Sequence, residues 1–401
     1  MQKILLFIAS LFYFNFLFSK NEIKSWQGIH ETPLSRLEQQ FAEPPVEFAN
    51  HVIWGWEGKM DKKTICNDLD SIKKKGFRAV IFEAGYKLPF KYLSEEWFKA
   101  IRTGVLEAKK RGMKVWIIDE GKYPSGFAGG KFSQERPDLR MQALVIGDTI
   151  QIKRGEVMTN HKIAPEIISA VAVSTSGAPN RTVEINNGKI SFNAGLDDWK
   201  ILLVKSDFRT AVTRAVNNPN GGKDATNSLC DYLNPVAVQQ FIDWTHKQYK
   251  KYLGKELGTT VLGFRGDEPD YAHLPWTPSI VQTFKDTKGY DPTPYLASFF
   301  TASPTIQEQR VKADYWDVWS SLFATHFFKL QADWCAANGV AHITHLNKEH
   351  EMPACVKAEG DYFRALSKVQ IPGVDAIWNQ IWPSTLNDFP KLASSVAHVY
   401  G

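Results

Sequence analysis

Three apolar runs decide the fold: HVIWGW at 51–56, RAVIFE at 78–83 and KVWIIDE at 114–120. Two amphipathic segments separate them, at 62–75 and 94–111, and each stops at a glycine. Near-continuous apolar strands that alternate with helices are typical of a parallel sheet covered on both faces. The sequence therefore predicts an α/β fold.

The same alternation returns in the second half of the chain. Further strands are predicted at 259–264, 340–345 and 374–378, with a helix from Asn234-Pro235 to Gly254 and a long helix over 306–338. Six βα units are two short of an eight-stranded barrel. We therefore expect an incomplete (β/α)8-type TIM barrel, in a chain truncated at its C-terminus, with an open α/β sheet as the alternative.

Short β runs with turn residues between them interrupt the alternation from about Met141 to Val212. They predict a β-sandwich-like domain inserted after strand three. The predicted division is a signal peptide at 1–19, barrel strands one to three at 20–140, the inserted β domain at 141–227, and barrel strands four to six at 228–401.

The composition excludes several classes of protein. Of 401 residues, 43% are hydrophobic and 23% are charged, which excludes a disordered chain. The formal net charge is only +5 and no basic run is longer than Lys73-Lys74-Lys75, so no nucleic-acid partner is expected. Cys66, Cys230, Cys335 and Cys355 lack metal-site spacing; most are predicted to be buried thiols, with one disulfide left open.

The N-terminus predicts export. Lys3 precedes an apolar run at 4–18, which is shorter than the ~20 residues of a membrane span. This pattern is typical of a secretory signal peptide. We expect a periplasmic or extracellular protein with no stable membrane span after signal removal.

Acidic side chains follow nearly every predicted strand, where the active sites of α/β barrels gather. The strand ends carry Glu57, Glu83, Asp119, Glu120, Asp267, Glu268, His345, Asp375 and Asn379, with Asn347 and Glu349 just after His345 and with Trp54 and Trp56 on strand one. Carboxylates with aromatic residues at a barrel mouth favour glycoside hydrolysis, in which two carboxyls flank the scissile bond. Asp267-Glu268-Pro269 is the sharpest such signal.

Structural alternatives stand beside these roles. Asp119 and Glu120 could cap the loop that Gly121 opens, and Glu83 could pair with a lysine or arginine. His342 and His345 lie three apart on a strand and so point to opposite faces, which argues against a shared metal site.

Several segments resemble the α-L-rhamnosidase type of glycoside hydrolase, family 106 and its relatives. IDEGKYPSGFAGG at 118–130 is similar to that family's YDE-x-x-WPSGFAGG stretch. The match continues, in order, through GDEP at 266–269, PWTP at 275–278, GYD at 289–291, HL at 345–346, GDY at 360–362 and IPGVD at 371–375. Thr344 and Ile118 stand where the family has glycine and tyrosine.

The resemblance implies particular roles. Glu268 and Asp267 would be the catalytic residues, with Glu268 as the general acid, because a like-charged neighbour favours the protonated form of a carboxyl. Relatives that continue past Gly401 would add a second catalytic carboxylate, and the type is inverting and calcium-assisted, so calcium is a possible cofactor. Expected substrate-binding residues are Trp54, Trp56, Glu83, Asp119, Glu120, Tyr123, His345, Glu349, Asp375 and Trp378.

The sequence thus predicts an exported hydrolase that removes a terminal sugar, such as α-L-rhamnose, from an oligo- or polysaccharide of plant or microbial origin. Two alternatives remain open: a catalytically silent carbohydrate-binding barrel or inactive fragment, and a metal-dependent hydrolase on the same barrel.

Overall fold

The computed structural model describes residues 33–42, 50–211, 213–214, 223–224, 226–271, 274–377, 380–384 and 388–400. The predicted signal peptide at 1–19 and the predicted sugar-stacking residue Trp378 lie outside the described residues.

The fold is mixed α/β. Its strands are β1 His51–Trp56, β2 Ala79–Ala84, β3 Lys114–Ile118, β4 Gln142–Ile152, β5 Val157–Lys162, β6 Ile167–Ser174, β7 Arg181–Thr182, β8 Lys189–Asn193, β9 Trp199–Phe208, β10 Thr213–Arg214, β11 Lys223–Asp224, β12 Val261–Arg265, β13 Pro275–Trp276, β14 Ala341–Thr344 and β15 Ile371–Pro372.

The helices lie between these strands and at both ends of the described chain. They are α1 Leu34–Ala42, α2 Lys62–Lys74, α3 Glu95–Lys110, α4 Lys131–Glu135, α5 Pro235–Trp244, α6 His246–Leu253, α7 Ile280–Lys288, α8 Ile306–Phe323, α9 Lys329–Ala337, α10 Met352–Glu359, α11 Tyr362–Leu366 and α12 Pro390–Tyr400. A π-helical turn, Ala324–Phe328, joins α8 to α9.

Six strands form one parallel sheet in the order β1-β2-β3-β12-β14-β15, with every neighbouring pair parallel. The spatial order follows the chain order, without the reversal that marks a doubly wound sheet. All six C-terminal ends therefore meet along one edge of the sheet. Among the described strands, β1 and β15 have a neighbour on one side only.

Side-chain caps fix where the predicted helices begin. The Ser94 side chain accepts a hydrogen bond from the Trp97 N–H, and the Asn234 side chain accepts one from the Val236 N–H. Thr305 and Glu308 form a capping box at the start of α8. The helix predicted from Asn234-Pro235 breaks at Thr245, whose hydroxyl donates to the Phe241 carbonyl.

The sixth strand was predicted at 374–378 and this is wrong, because the strand is Ile371–Pro372. Pro372 has no N–H, so it cannot continue the ladder. The next N–H, that of Gly373, donates to the Thr344 carbonyl at 2.7 Å, and the chain then leaves the sheet.

The β region between β3 and α5 has a small hydrophobic core of its own and also packs against the helices. Its main sheet, in the order β13-β4-β9-β6-β7, takes β13 from beyond the predicted insertion. One face is covered by the β5–β8 pair, through Phe192 against Trp199. The other face, including Leu202, shares a hydrophobic core with helix residues such as Phe241. All four cysteines are free thiols.

Gly263 is the point of closest approach within the parallel sheet. A Cβ at this position would lie 1.9 Å from the Ala341 carbonyl oxygen and 2.7 Å from the Trp116 ring. Gly263→Ala should therefore lower the free energy of unfolding by roughly 1–3 kcal/mol or more, measured by urea unfolding. In the control Gly55→Ala, the new Cβ would meet Glu83 at an ordinary 3.5 Å. Equal stability of the two variants would contradict the packing described.

Candidate active site

A serine hydroxyl joins the loop after β3 to the loop after β12. The Ser125 Oγ donates to Asp119 Oδ1 at 2.6 Å and accepts the Asp267 N–H at 2.7 Å. The Ser125 N–H also donates to the Asp267 carbonyl at 2.8 Å. Asp119 is fully buried, and burial raises its pKa to about 7. Asp119 therefore helps to position the acidic segment after β12 through its hydrogen bond to Ser125.

Glu120 organises its own loop. Its carboxylate accepts the N–H groups of Gly121 at 2.7 Å, Gly129 at 3.0 Å and Ala128. The side chain is buried, and burial raises its pKa to about 8. Neither Asp119 nor Glu120 lines the cavity described next, although both were predicted to bind substrate.

A cavity of about 710 Å³ lies at the C-terminal ends of the parallel strands. Its wall carries five acidic residues, which are Glu83, Asp267, Glu268, Asp270 and Asp375. Tyr123, Arg265 and Asn347 contribute the main neutral and cationic polar groups. The cavity therefore brings together side chains from the ends of β2, β3, β12, β14 and β15.

His345 is the focus of the acidic wall. Its Nε2 lies 3.6 Å from Asp267 Oδ1, 3.6 Å from Glu268 Oε1 and 3.8 Å from Asp375 Oδ2. The histidine is 4% exposed, and Nε2 has no hydrogen-bond partner within the described structure. Burial lowers the pKa of His345, but Glu268, Asp267 and Glu349 together raise it by more, so the net shift is upward.

The tautomer of His345 follows from Arg265. Arg265 Nη2 lies 3.4 Å from His345 Nδ1, and a guanidinium can only donate. In the neutral form of the ring Nδ1 therefore accepts, and the proton is on Nε2, which faces the three carboxylates. Arg265 Nη1 also lies 3.5 Å from Asp267 Oδ1. Together, Arg265 and His345 offset the repulsion between the acidic groups.

Asp270 is a cavity residue that the sequence analysis missed. Asp270 Oδ2 lies 3.4 Å from the Tyr123 hydroxyl and 3.3 Å from Asn347 Nδ2, while Oδ1 is buried without a hydrogen-bond partner in the described structure. Burial raises the pKa of Asp270. The available signal was its position two residues after Glu268, in the segment GDEPD.

The remaining predicted residues fall into two groups. Glu83 lines the cavity and forms an ion pair with Lys122 at 2.8 Å. The sequence analysis gave pairing with a lysine or arginine as the structural alternative for this residue. Glu349 lies behind the cavity wall, where it accepts the Leu346 N–H at 2.9 Å, and burial raises its pKa to about 7. Trp54 and Trp56 pack against Phe82 on the helix-facing side of the sheet. Trp56 is fully buried and has no face free for a sugar.

Two residues around the cavity have unusual backbone conformations. Glu268 has φ +39° and Lys348 has φ +63°, and both line the cavity. Positive φ is unfavourable for side chains of this kind, and such strain is concentrated at functional sites.

Comparison with known proteins identifies the family. A family model described as alpha-L-rhamnosidase, of glycoside hydrolase family 106, matches residues 170–401. The chain belongs to this family. The match covers more than half of the chain and includes the Asp267-Glu268 segment, His345 and Asp375.

This family 106 chain is also similar to two known proteins. It is 23% identical to a Formosa agariphila protein named "Putative beta-glucuronidase", over 92% of this chain and 34% of that protein. Its structure matches a rhamnosidase from Novosphingobium sp. PP1Y with a TM-score of 0.66 and 15% identity, over 92% of this chain and 52% of the other. The chain thus spans about a third and about half of their lengths, and the structural likeness shows the fold.

The calcium ion implied by the resemblance to family 106 does not fit the described acidic group. Glu268, His345 and Asp375 can each offer one ligand atom, and these atoms lie within 4.8 Å of one another. Calcium takes six to eight oxygen ligands, whereas this group includes an imidazole nitrogen. A metal on Nε2 would also require a proton on Nδ1, which faces the donor-only Arg265.

The pKa of Asp119 predicts a pH dependence of stability. An unfolded aspartate ionises near pH 3.9, whereas Asp119 holds its proton to about pH 7 in the fold. Its stabilising effect is therefore complete below about pH 4 and is lost as the pH rises to about 7. Urea unfolding should show the advantage of the unsubstituted chain over Asp119→Asn shrinking by roughly 2–4 kcal/mol across this range.

The exposed Asp207→Asn substitution serves as the matched control. Across the same pH range, the stability difference from the unsubstituted chain should change more for Asp119→Asn than for Asp207→Asn. Equal changes in the two variants would contradict the raised pKa of Asp119.

Proposed function

We propose that this chain is an exported glycoside hydrolase, that its cavity binds a terminal sugar such as α-L-rhamnose, and that Glu268 protonates the leaving oxygen. The observation that carries this proposal is the meeting of five carboxylates in one cavity at the C-terminal ends of parallel strands, three of them within 3.8 Å of His345 Nε2. Hydrolysis of a glycosidic bond needs carboxyl groups on opposite sides of the anomeric carbon.

The cavity geometry supports different roles for its acids. Glu268 reaches the cavity from a strained loop position, and its Oε1 faces the Nε2 proton of His345. Asp267 is fixed through its backbone to Ser125 and through its side chain to Arg265, which suits a group that holds its neighbours in place. Glu83, Tyr123 and Asp375 remain available to bind sugar hydroxyls.

The spacing of the carboxylates limits the choice of partner for Glu268. Oxygen atoms of Glu268 and Asp375 can lie within 4.8 Å of each other. An inverting enzyme separates its two carboxyls by about 6.5–9.5 Å to admit a water molecule. If the enzyme inverts, as the resemblance implies, Asp375 is therefore a substrate-binding residue rather than the general base.

We also propose that the parallel sheet is part of a (β/α)8-type barrel. Six parallel strands in chain order support this, as does the fold of the Novosphingobium rhamnosidase. Export is supported by the N-terminal apolar run that follows Lys3. No helix in the described part of the chain is long and apolar enough to cross a membrane.

Substitution of Glu268 tests the proposed acid. Glu268→Gln keeps the size of the side chain but has no proton of suitable acidity to give. It should lower kcat on sugar substrates by roughly 10²–10⁴-fold while sugar binding, measured by calorimetry, is retained. The exposed Glu95→Gln serves as the control and should retain full activity.

The substrates for this test are aryl glycosides with good and poor leaving groups, including α-L-rhamnoside and β-D-glucuronide. The loss of kcat in Glu268→Gln should be larger with the poor leaving group, because departure of such a group depends more on protonation. Unchanged turnover in Glu268→Gln would place the proton donor at another residue.

A further inference from the structure

A second cavity of about 1230 Å³ opens beside the acidic one. It runs between α8 and α10, and we call it the lysine groove. Gln309, Lys312 and Trp316 line it from one face of α8, Ala354 and Lys357 line it from α10, and Leu274 contributes to its wall. Its volume exceeds the roughly 300–1,000 Å³ of typical small-molecule sites.

The groove is continuous with the acidic cavity. Asp270 and Lys348 line both of them. A molecule whose terminal unit occupies the acidic cavity could therefore continue past Asp270 and Lys348 into the groove. This is the direction in which the leaving-group side of a polysaccharide would extend.

The charge changes sign between the two cavities. In the acidic cavity five carboxylates outnumber Arg265 and Lys348, whereas in the groove Lys312, Lys348 and Lys357 outnumber Asp270 and Glu351. Lys312 and Lys357 are exposed, and neither forms an ion pair with any residue that the structure describes. Ammonium groups held at a groove without partners attract anions.

Trp316 gives the groove an aromatic surface. It is half-buried, and its ring is held by Trp319, with ring centroids 5.8 Å apart, and by Phe299, with centroids 6.3 Å apart. The Lys312 Nζ lies 5.6 Å from the centroid of the Trp316 ring. A rigid indole next to an ammonium group offers an apolar face for a sugar ring and a cation for a charged substituent on it.

We propose that the lysine groove binds the leaving-group side of an anionic polysaccharide, whose sugars carry carboxylate or sulfate groups. The terminal sugar that enters the acidic cavity is then neutral, because five carboxylates would repel an anion. This inference rests on the proposed function for the direction in which the polysaccharide lies, but binding of the polysaccharide does not require turnover.

Affinity electrophoresis of the 401-residue chain tests this proposal. Native gels would contain polygalacturonate as the carboxylate probe, dextran sulfate as the sulfate probe, or neutral dextran. We expect at least one anionic polymer to retard the protein and neutral dextran to have no effect. The probe that retards it identifies the charged group.

Variants with matched charge locate the binding. Lys312→Gln/Lys357→Gln should weaken retardation at least fivefold, and Trp316→Ala should weaken it in the same gels. The control Lys63→Gln/Lys200→Gln removes the same charge at exposed positions away from the groove and should bind as the unsubstituted chain does. Melting temperatures show whether each variant is folded. If Trp316→Ala does not fold, the result for Lys312→Gln/Lys357→Gln is the one that tests the proposal.

Three results would overturn the proposal. They are no retardation by either anionic polymer, equal retardation by neutral dextran, or an equal loss of retardation in the groove lysine pair and in the control lysine pair. The last of these would indicate binding by net charge alone. Because retardation measures binding without hydrolysis, these failures are distinct from a failure of the Glu268→Gln experiment.

Discussion

The structure depends on offsetting the repulsion between the acidic side chains at the C-terminal ends of its parallel strands. Like charges brought together in a partly buried site repel each other strongly unless cations or N–H donors face them. Here Arg265 and His345 lie next to Asp267 and its acidic neighbours, and Lys122 forms an ion pair with Glu83. Three backbone N–H groups donate hydrogen bonds to Glu120. Burial also keeps Asp119 protonated to about pH 7.

Ser125 connects this electrostatic arrangement to the fold. A single hydroxyl contacts both the buried Asp119 and the backbone of Asp267. The loop after β3 therefore fixes the position of the acids after β12, although 142 residues separate Ser125 from Asp267 in sequence. The β region between them packs its sheet against the same core as the helices, so it supports the scaffold on which these loops rest.

The local sequence was enough to predict five of the six parallel strands and several helix starts. Apolar runs located β1, β2 and β3, and Ser94 and Asn234 cap helices as their types suggest. The acids at strand ends were also predictable, because parallel strands of one sheet present their C-terminal ends together. Of the residues singled out at or just after the strand ends, five line the cavity, namely Glu83, Asp267, Glu268, Asn347 and Asp375. His345 lies within 3.8 Å of three of them.

The rest depended on long-range contacts. Whether Trp54 and Trp56 face the helices or the cavity is set by strand pairing, and they face the helices. After folding, Asp119 and Glu120 are buried and held by O–H and N–H donors, whereas Glu268 lines the cavity. Asp270 was missed because its partners, Tyr123 and Asn347, come from distant loops.

A crystal structure of the chain soaked with L-rhamnose tests the central claim most directly. The account predicts the sugar in the cavity of about 710 Å³, with an oxygen on its anomeric carbon within hydrogen-bond distance of Glu268. A sugar bound elsewhere, or an empty cavity at saturating rhamnose, would contradict it.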